Sequence, residues 1–147
     1  MNNNIELTPE VLLKNYQFKK HEMALNILVV EDEYIIQMYL RKIIAYWGHN
    51  VIGTADQCEE CLLKVEKYDP DLILMDISIY GNKDGIETAK IINNKYKVPI
   101  IFITANSDQS TITRALDTNP ISIINKPINE DILKNEINKV MPRKQMA

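Results

Sequence analysis

The amino-acid sequence predicts an α/β fold: a five-stranded parallel sheet with helices on both faces. Two observations carry this. Short apolar runs alternate with helix-like stretches from residue 25 to residue 141. Most of the runs also lack a polar alternation, as strands covered on both sides do.

The first run is Asn26–Val30. A helical pattern follows, with Leu40, Ile43, Ile44 and Trp47 at i, i+3, i+4 and i+7, ending at Gly48. The second run, Val51–Thr54, leads to a helix from about Gln57 to Tyr68, stopped by Asp69-Pro70. The third run is Leu72–Met75, and its helix starts after Asp84-Gly85 and continues to about Tyr96. Pro99 opens the fourth run, Ile100–Ile103, and a weaker helix covers Ser107 to Asp117. The fifth run is Ile121–Ile124. The last helix begins at Asn129, a good N-cap, with Glu130 and Asp131 complementing the helix dipole. Ile132, Leu133, Ile137 and Val140 are its expected buried stripe.

These boundaries define an N-terminal extension at 1–24, one domain at 25–142 and a short tail at 143–147. Thr8-Pro9-Glu10 resembles a helix start, whereas the composition of the extension favours a mobile tail over a docked helix.

The totals exclude several classes. A chain of 147 residues fits one core rather than two. A net charge of −3, with no basic stripe, argues against nucleic acid as a partner. No cationic amphipathic segment marks a membrane surface, and no stretch approaches the roughly 18 apolar residues of a spanning helix. The extension lacks the apolar core of a secretory signal, so a cytoplasmic location is expected. Cys58 and Cys61 form C-x-x-C. Zinc would need two more ligands, and the two histidines, His21 and His49, are the remaining nitrogen donors. Cys61 reads as a small buried residue on the second helix of the domain.

Ligand sites in parallel sheets form where the carboxyl ends of the strands converge. Glu31-Asp32-Glu33 follows the first strand, Asp76 ends the third, Thr104 ends the fourth, and Lys126-Pro127 follows the fifth. Clustered carboxylates repel one another, and a divalent cation removes the conflict. Oxygen ligands with room for water and phosphate suit Mg²⁺. One carboxylate is then free to act as a nucleophile and form an aspartyl phosphate. Lys126, the Thr104 hydroxyl and the backbone amides near Ser78 and Ala105 would neutralise the phosphoryl oxygens. Glu33 reads as a surface residue and Asp84 as a helix N-terminal charge.

Five segments carry a specific resemblance: Ile27–Glu33, Pro70–Ile77, Asp84–Glu87, Pro99–Ala105 and Asn125–Ile128. In order and spacing they resemble bacterial response-regulator receiver domains, over about residues 25–141. The resemblance implies a flavodoxin-like doubly wound sheet of strand order 2-1-3-4-5. It also implies Asp76 as phosphoacceptor, with Mg²⁺ held by Glu31, Asp32, Asp76 and the Ser78 carbonyl. Thr104, Ala105 and Lys126 become the phosphoryl-sensing residues, and Pro127 the site of a cis bond. The implied donor is a histidine kinase or a histidine phosphotransfer domain, within a two-component or phosphorelay pathway.

Three departures stand out. Ile123 occupies a switch position that is often aromatic in the family. The loop Ile77–Asp84 is one residue longer than the commonest form and lacks its proline. No output domain is expected after the last helix, so the chain is expected to act through a downstream partner or by passing the phosphoryl group on. Ile35 and Met38 fall off the buried stripe of their helix and, with Ile128, form an expected docking patch for the phosphodonor. The fourth-helix face and the extension are candidate homodimer surfaces. Two other functions compete. One is a receiver-like interaction module that is never phosphorylated. The other is a multiple-turnover phosphohydrolase similar to haloacid-dehalogenase-like enzymes. Those carry a second Asp two residues after the nucleophile; here that position is Ser78, so no turnover enzyme is expected.

Overall fold

The computed structural model describes residues 7–143. The chain runs α1 (Pro9–Glu22), β1 (Asn26–Val30), α2 (Tyr34–Tyr46), β2 (Asn50–Ala55), α3 (Cys58–Tyr68) and β3 (Leu72–Asp76). It continues through α4 (Gly85–Lys95), β4 (Ile100–Thr104), α5 (Gln109–Leu116), β5 (Ser122–Asn125) and α6 (Glu130–Ile137). The five strands form one sheet, all pairs parallel, in the order β2-β1-β3-β4-β5. This is the flavodoxin-like doubly wound topology. Connections leave β1 toward one edge and β3 toward the other, so the switch point lies between the carboxyl ends of β1 and β3.

Strand periodicity divides the core into two layers. Leu28, Val30, Ile73, Met75 and Phe102 pack against Cys61 and Val65 of α3, Ile86 and Ile92 of α4, and Ala115 of α5. Their sequence neighbours Ile27, Val29, Leu72, Leu74, Ile101 and Ile103 face Leu40 and Ile44 of α2 and Leu133 and Ile137 of α6. Each central strand is therefore apolar at every position because each of its faces is covered. All of β3 and β4 is buried, whereas edge strand β2 is mostly half-exposed.

The helices are delimited by local chemistry. Thr8, Asp84, Asp108 and Asn129 each accept a backbone N–H of the first turn that follows. Gly48, Asp69, Lys97 and Asn119 take left-handed φ values where α2, α3, α4 and α5 give way to the next strand.

Two expectations are corrected. The weak helix starts at Gln109 rather than Ser107, because the Asp108 carboxylate accepts the Thr111 N–H at 2.9 Å and so fixes the cap one residue later. Ile132 is 52% exposed; Leu133 and Ile137 are the buried residues of α6, and Val140 is buried just beyond its end. Much of the extension is helical, and none of the residues of α1 is buried. Residues 1–6 of the extension and 144–147 of the tail lie outside the described residues. Arg143 is tied down, its backbone N–H donating to the buried Asp71 carboxylate at 2.7 Å. No described helix is long and apolar enough to cross a membrane.

Candidate functional site

Glu31, Asp32, Asp76, Thr104 and Lys126 meet at the carboxyl edge of the sheet. β3 is the central strand, and its last residue Asp76 is only 4% exposed. Glu31 directly follows β1 and is 2% exposed; its N–H donates to Ala55 O at 2.9 Å, which extends the β1–β2 ladder by one residue. Asp32, half-buried, is carried on the turn into α2. One carboxylate oxygen from each of Glu31, Asp32 and Asp76 lies within 4.8 Å of the others.

Lys126 lies between two of these acids. Its Nζ donates to Glu31 Oε2 and to Asp76 Oδ2, each at 3.0 Å. The Lys126 backbone N–H donates to Thr104 O at 2.9 Å, which fixes the lysine to the end of β4, and the Lys126–Pro127 bond is cis. The free oxygen of each acid is also engaged: Asp76 Oδ1 accepts from Ser78 N at 3.0 Å and Glu31 Oε1 from Glu33 N at 3.1 Å. Thr104 is fully buried, and its Oγ1 accepts from Asn106 N at 3.0 Å, which leaves its own hydrogen to donate. Ala105 and Ser78 are exposed at the rim.

One cation serves two buried carboxylates, and the charge does not balance. Burial, reinforced by the Asp76 charge, pushes Glu31 up to about 7, despite the opposing pull of Lys126. Burial also works against the Lys126 ammonium, but its bonds to Asp76 and Glu31 outweigh that and hold its pKa above the usual lysine value. The two shifts point opposite ways for the stability of the pair. Both have a structural cause: the lysine gains two acceptors, while Glu31 shares its one cation with a second acid. Such a site favours further positive charge. Its donors, all hard oxygens, fit Mg²⁺, with Glu31, Asp32 and Asp76 as the residues able to hold it.

Among the docking residues, Ile35 is 81% and Met38 52% exposed, whereas Ile128 is half-buried against the α2–α6 core. Ile128 lines an apolar hollow of about 320 Å³ with Ile36, Tyr39 and Pro127. The Tyr39 hydroxyl donates to Glu130 Oε1 at 2.6 Å and bridges α2 to α6, which raises its pKa to about 12. Ile123 is half-buried against the core layer that holds Phe102 and Ala115. Burial pushes the Cys61 thiol up to about 12, which disfavours its thiolate, and Cys58 is buried as well.

Two contributors escaped the sequence reading. A Cβ on Gly85 would come within 2.1 Å of the Asp76 carbonyl oxygen, so this glycine lets the start of α4 approach the end of β3. The Asp-Gly pair at the helix start was the available signal. Asp84, the N-cap residue, also pairs with Arg114 of α5 at 3.0 Å and joins the loop after Asp76 to the helix after Thr104.

The family model for the response regulator receiver domain matches residues 27–138. The transcriptional regulatory protein PdtaR of Mycobacterium tuberculosis is 33% identical over 101 residues, which are 69% of this chain and 49% of that protein. The chemotaxis protein CheY of Bacillus subtilis is 30% identical over 120 residues, 81% of this chain and 99% of that one. The signal receiver domain of a modulated diguanylate cyclase from Desulfovibrio desulfuricans superposes with a TM-score of 0.76 at 33% identity, covering 84% of this chain and 98% of that domain. The chain spans about half the length of relatives such as PdtaR. It belongs to the response regulator receiver domain family.

Proposed function

We propose that this chain is a phosphoacceptor receiver that takes a phosphoryl group from a phosphohistidine onto Asp76. The observation that carries the proposal is the placement of Lys126, 3.0 Å from both Glu31 and Asp76 at the buried end of the central strand. A Lys126–Asp76 pair that served packing alone would not need a second acid beside it.

Glu31, Asp32, Asp76 and the Ser78 carbonyl would hold Mg²⁺, which when bound neutralises the acids and the incoming phosphoryl oxygens. An Asp76 oxygen attacks phosphorus as the P–N bond to the donor imidazole breaks, and the imidazole leaves as the neutral base after taking up a proton. Lys126 then exchanges a carboxylate partner for a phosphoryl oxygen, and the Thr104 hydroxyl donates to another. Ala105 carries only a methyl group, so the approach beside Asp76 stays open. Ser78 supplies no carboxylate for acid–base work, so the acyl phosphate persists as a signal, and the protein promotes only its own phosphorylation and slow dephosphorylation. Asn106–Ile124 and α6 shift their population in response and change the affinity for a downstream protein. The donor is a histidine kinase or histidine phosphotransfer domain in a cytoplasmic pathway, docking over Ile35, Met38 and the hollow that includes Ile128.

Titration with beryllofluoride and Mg²⁺, followed by the amide resonances of Thr104–Asn106 and Lys126, tests the proposal. Saturable shifts in the wild type and none in Asp76→Asn are expected; silence in both would overturn it.

A further inference from the structure

A hollow of about 700 Å³ opens between α1, the carboxyl end of α2 and α6. It lies at the amino-terminal edge of the sheet, the opposite end of the domain from Asp76. Lys19 and Lys20 of α1 and Lys134 of α6 line it, together with Tyr16, Tyr46 and Trp47. None of its lining residues is acidic, and none of its lysines forms an ion pair with a described carboxylate. Burial holds the pKa of His49, also in the lining, below the ordinary histidine value, so it adds no compensating or competing charge.

The helix C-caps Met23, Trp47 and Asn138 also border this hollow. Each carboxyl terminus brings about half a negative charge. Together they offset about half of the lysine charge, so the hollow stays positive in a chain whose net charge is −3.

Helix α1 points the same way. It has 14 residues, none of them buried, and a helix of that length is marginal in water without a packed face. Leu12, Tyr16 and Met23 recur at helical spacing along one side, and they are 51%, 65% and 40% exposed. Tyr16 and Met23 line the hollow. An apolar side chain seated there would cover part of this stripe while the lysines meet carboxylates at the rim.

We propose that this hollow docks an acidic segment of a partner protein, one that interleaves Asp or Glu with leucine or aromatic residues. Charge complementarity selects the acids, and the exposed tyrosines and Met23 select the apolar residues. The negative net charge disfavours a nucleic acid here. A membrane surface is disfavoured because Val11 and Phe18 lie about 100° or more around α1 from Leu12 and Tyr16, so not all of its apolar residues share the Leu12–Tyr16–Met23 side.

Trp47 is the sole tryptophan, so its fluorescence reports occupancy by peptides that lack tryptophan. Short random peptides displayed on phage are selected against the wild type and against Lys20→Glu/Lys134→Glu, and the enriched sequences are titrated as synthetic peptides. The expected result is enrichment of Asp and Glu with Leu, Tyr or Phe on the wild type only, and a saturable change in Trp47 emission. The double charge reversal should weaken binding about tenfold or more. Lys20→Arg/Lys134→Arg should retain it, and acetyl phosphate labelling of Asp76 should be the same in all three proteins. Equal enrichment on the charge-reversed protein would overturn the proposal. So would an emission change produced equally well by inorganic pyrophosphate, which would make the hollow a small-anion site, or by oligothymidylate, which would make it a nucleic-acid site.

Discussion

Glu31 is the residue whose charge the fold accommodates least well, and that makes the metal-free protein sensitive to pH. In the unfolded chain its carboxyl titrates near 4.5, whereas in the folded site burial and Asp76 push it up to about 7. As pH rises above 4.5 the unfolded chain loses this proton and the folded chain keeps it. Stability is therefore fully present below 4.5, declines through the interval, and levels off above about 7. The displacement corresponds to about 3 kcal/mol for this group. Adding Mg²⁺ near neutral pH should return much of the loss, because a ligand that binds only the folded state stabilises it by mass action.

The assay is urea unfolding followed by Trp47 fluorescence, in chelator and in Mg²⁺, for wild type and Glu31→Gln. The amide of the variant retains an oxygen for the Glu33 N–H but cannot ionise. Its metal-free stability should lack the decline between 4.5 and about 7, and Mg²⁺ should add little. Asp76→Asn should shrink the decline without removing it, since burial is the larger cause of the Glu31 shift. Parallel stability–pH curves for wild type and Glu31→Gln in chelator would refute the reasoning.

Two further outcomes follow from the geometry. Gly85→Ala places a methyl 2.1 Å from the Asp76 carbonyl oxygen and 2.9 Å from Ile77 Cα, all backbone; relief requires α4 to retreat, at a cost of about 3 kcal/mol of unfolding free energy, read as a lower urea midpoint, and an unchanged midpoint would count against the close approach. His49 Nδ1 accepts the Leu25 N–H at 3.0 Å, and burial depresses its pKa, so its contribution is full above 6.5 and is lost as pH falls through the depressed value. Thermal unfolding of His49→Gln should show a weaker acid dependence than the wild type in that range, and identical slopes would rule out His49 as the source.

The central strands were legible in the sequence because a parallel strand covered on both faces is apolar at every position, as Leu72–Met75 and Ile100–Ile103 are. The site was legible for a related reason. A buried carboxylate at the end of such a run, Asp76, and a lysine at the end of another, Lys126, have no packing role that an apolar side chain would not fill better. What the sequence concealed depends on contacts between distant residues. Arg143 reaches Asp71 across 72 positions, and Gly85 meets the Asp76 backbone through a loop whose path no local pattern encodes. Ile132 fits the helical period of its buried neighbours yet is exposed, because α6 presents a narrower face to the sheet than the apolar pattern suggests. The extension showed a sound helix start at Thr8-Pro9-Glu10, but its apolar residues are spread around the helix, so composition pointed to a tail.

Intact mass after incubation with acetyl phosphate and Mg²⁺, for wild type and Asp76→Asn, tests the central claim most directly. One phosphoryl group added to the wild type and none to the variant is the predicted result. An unmodified wild-type protein that is folded, or equal labelling of both proteins, would contradict Asp76 as the phosphoacceptor.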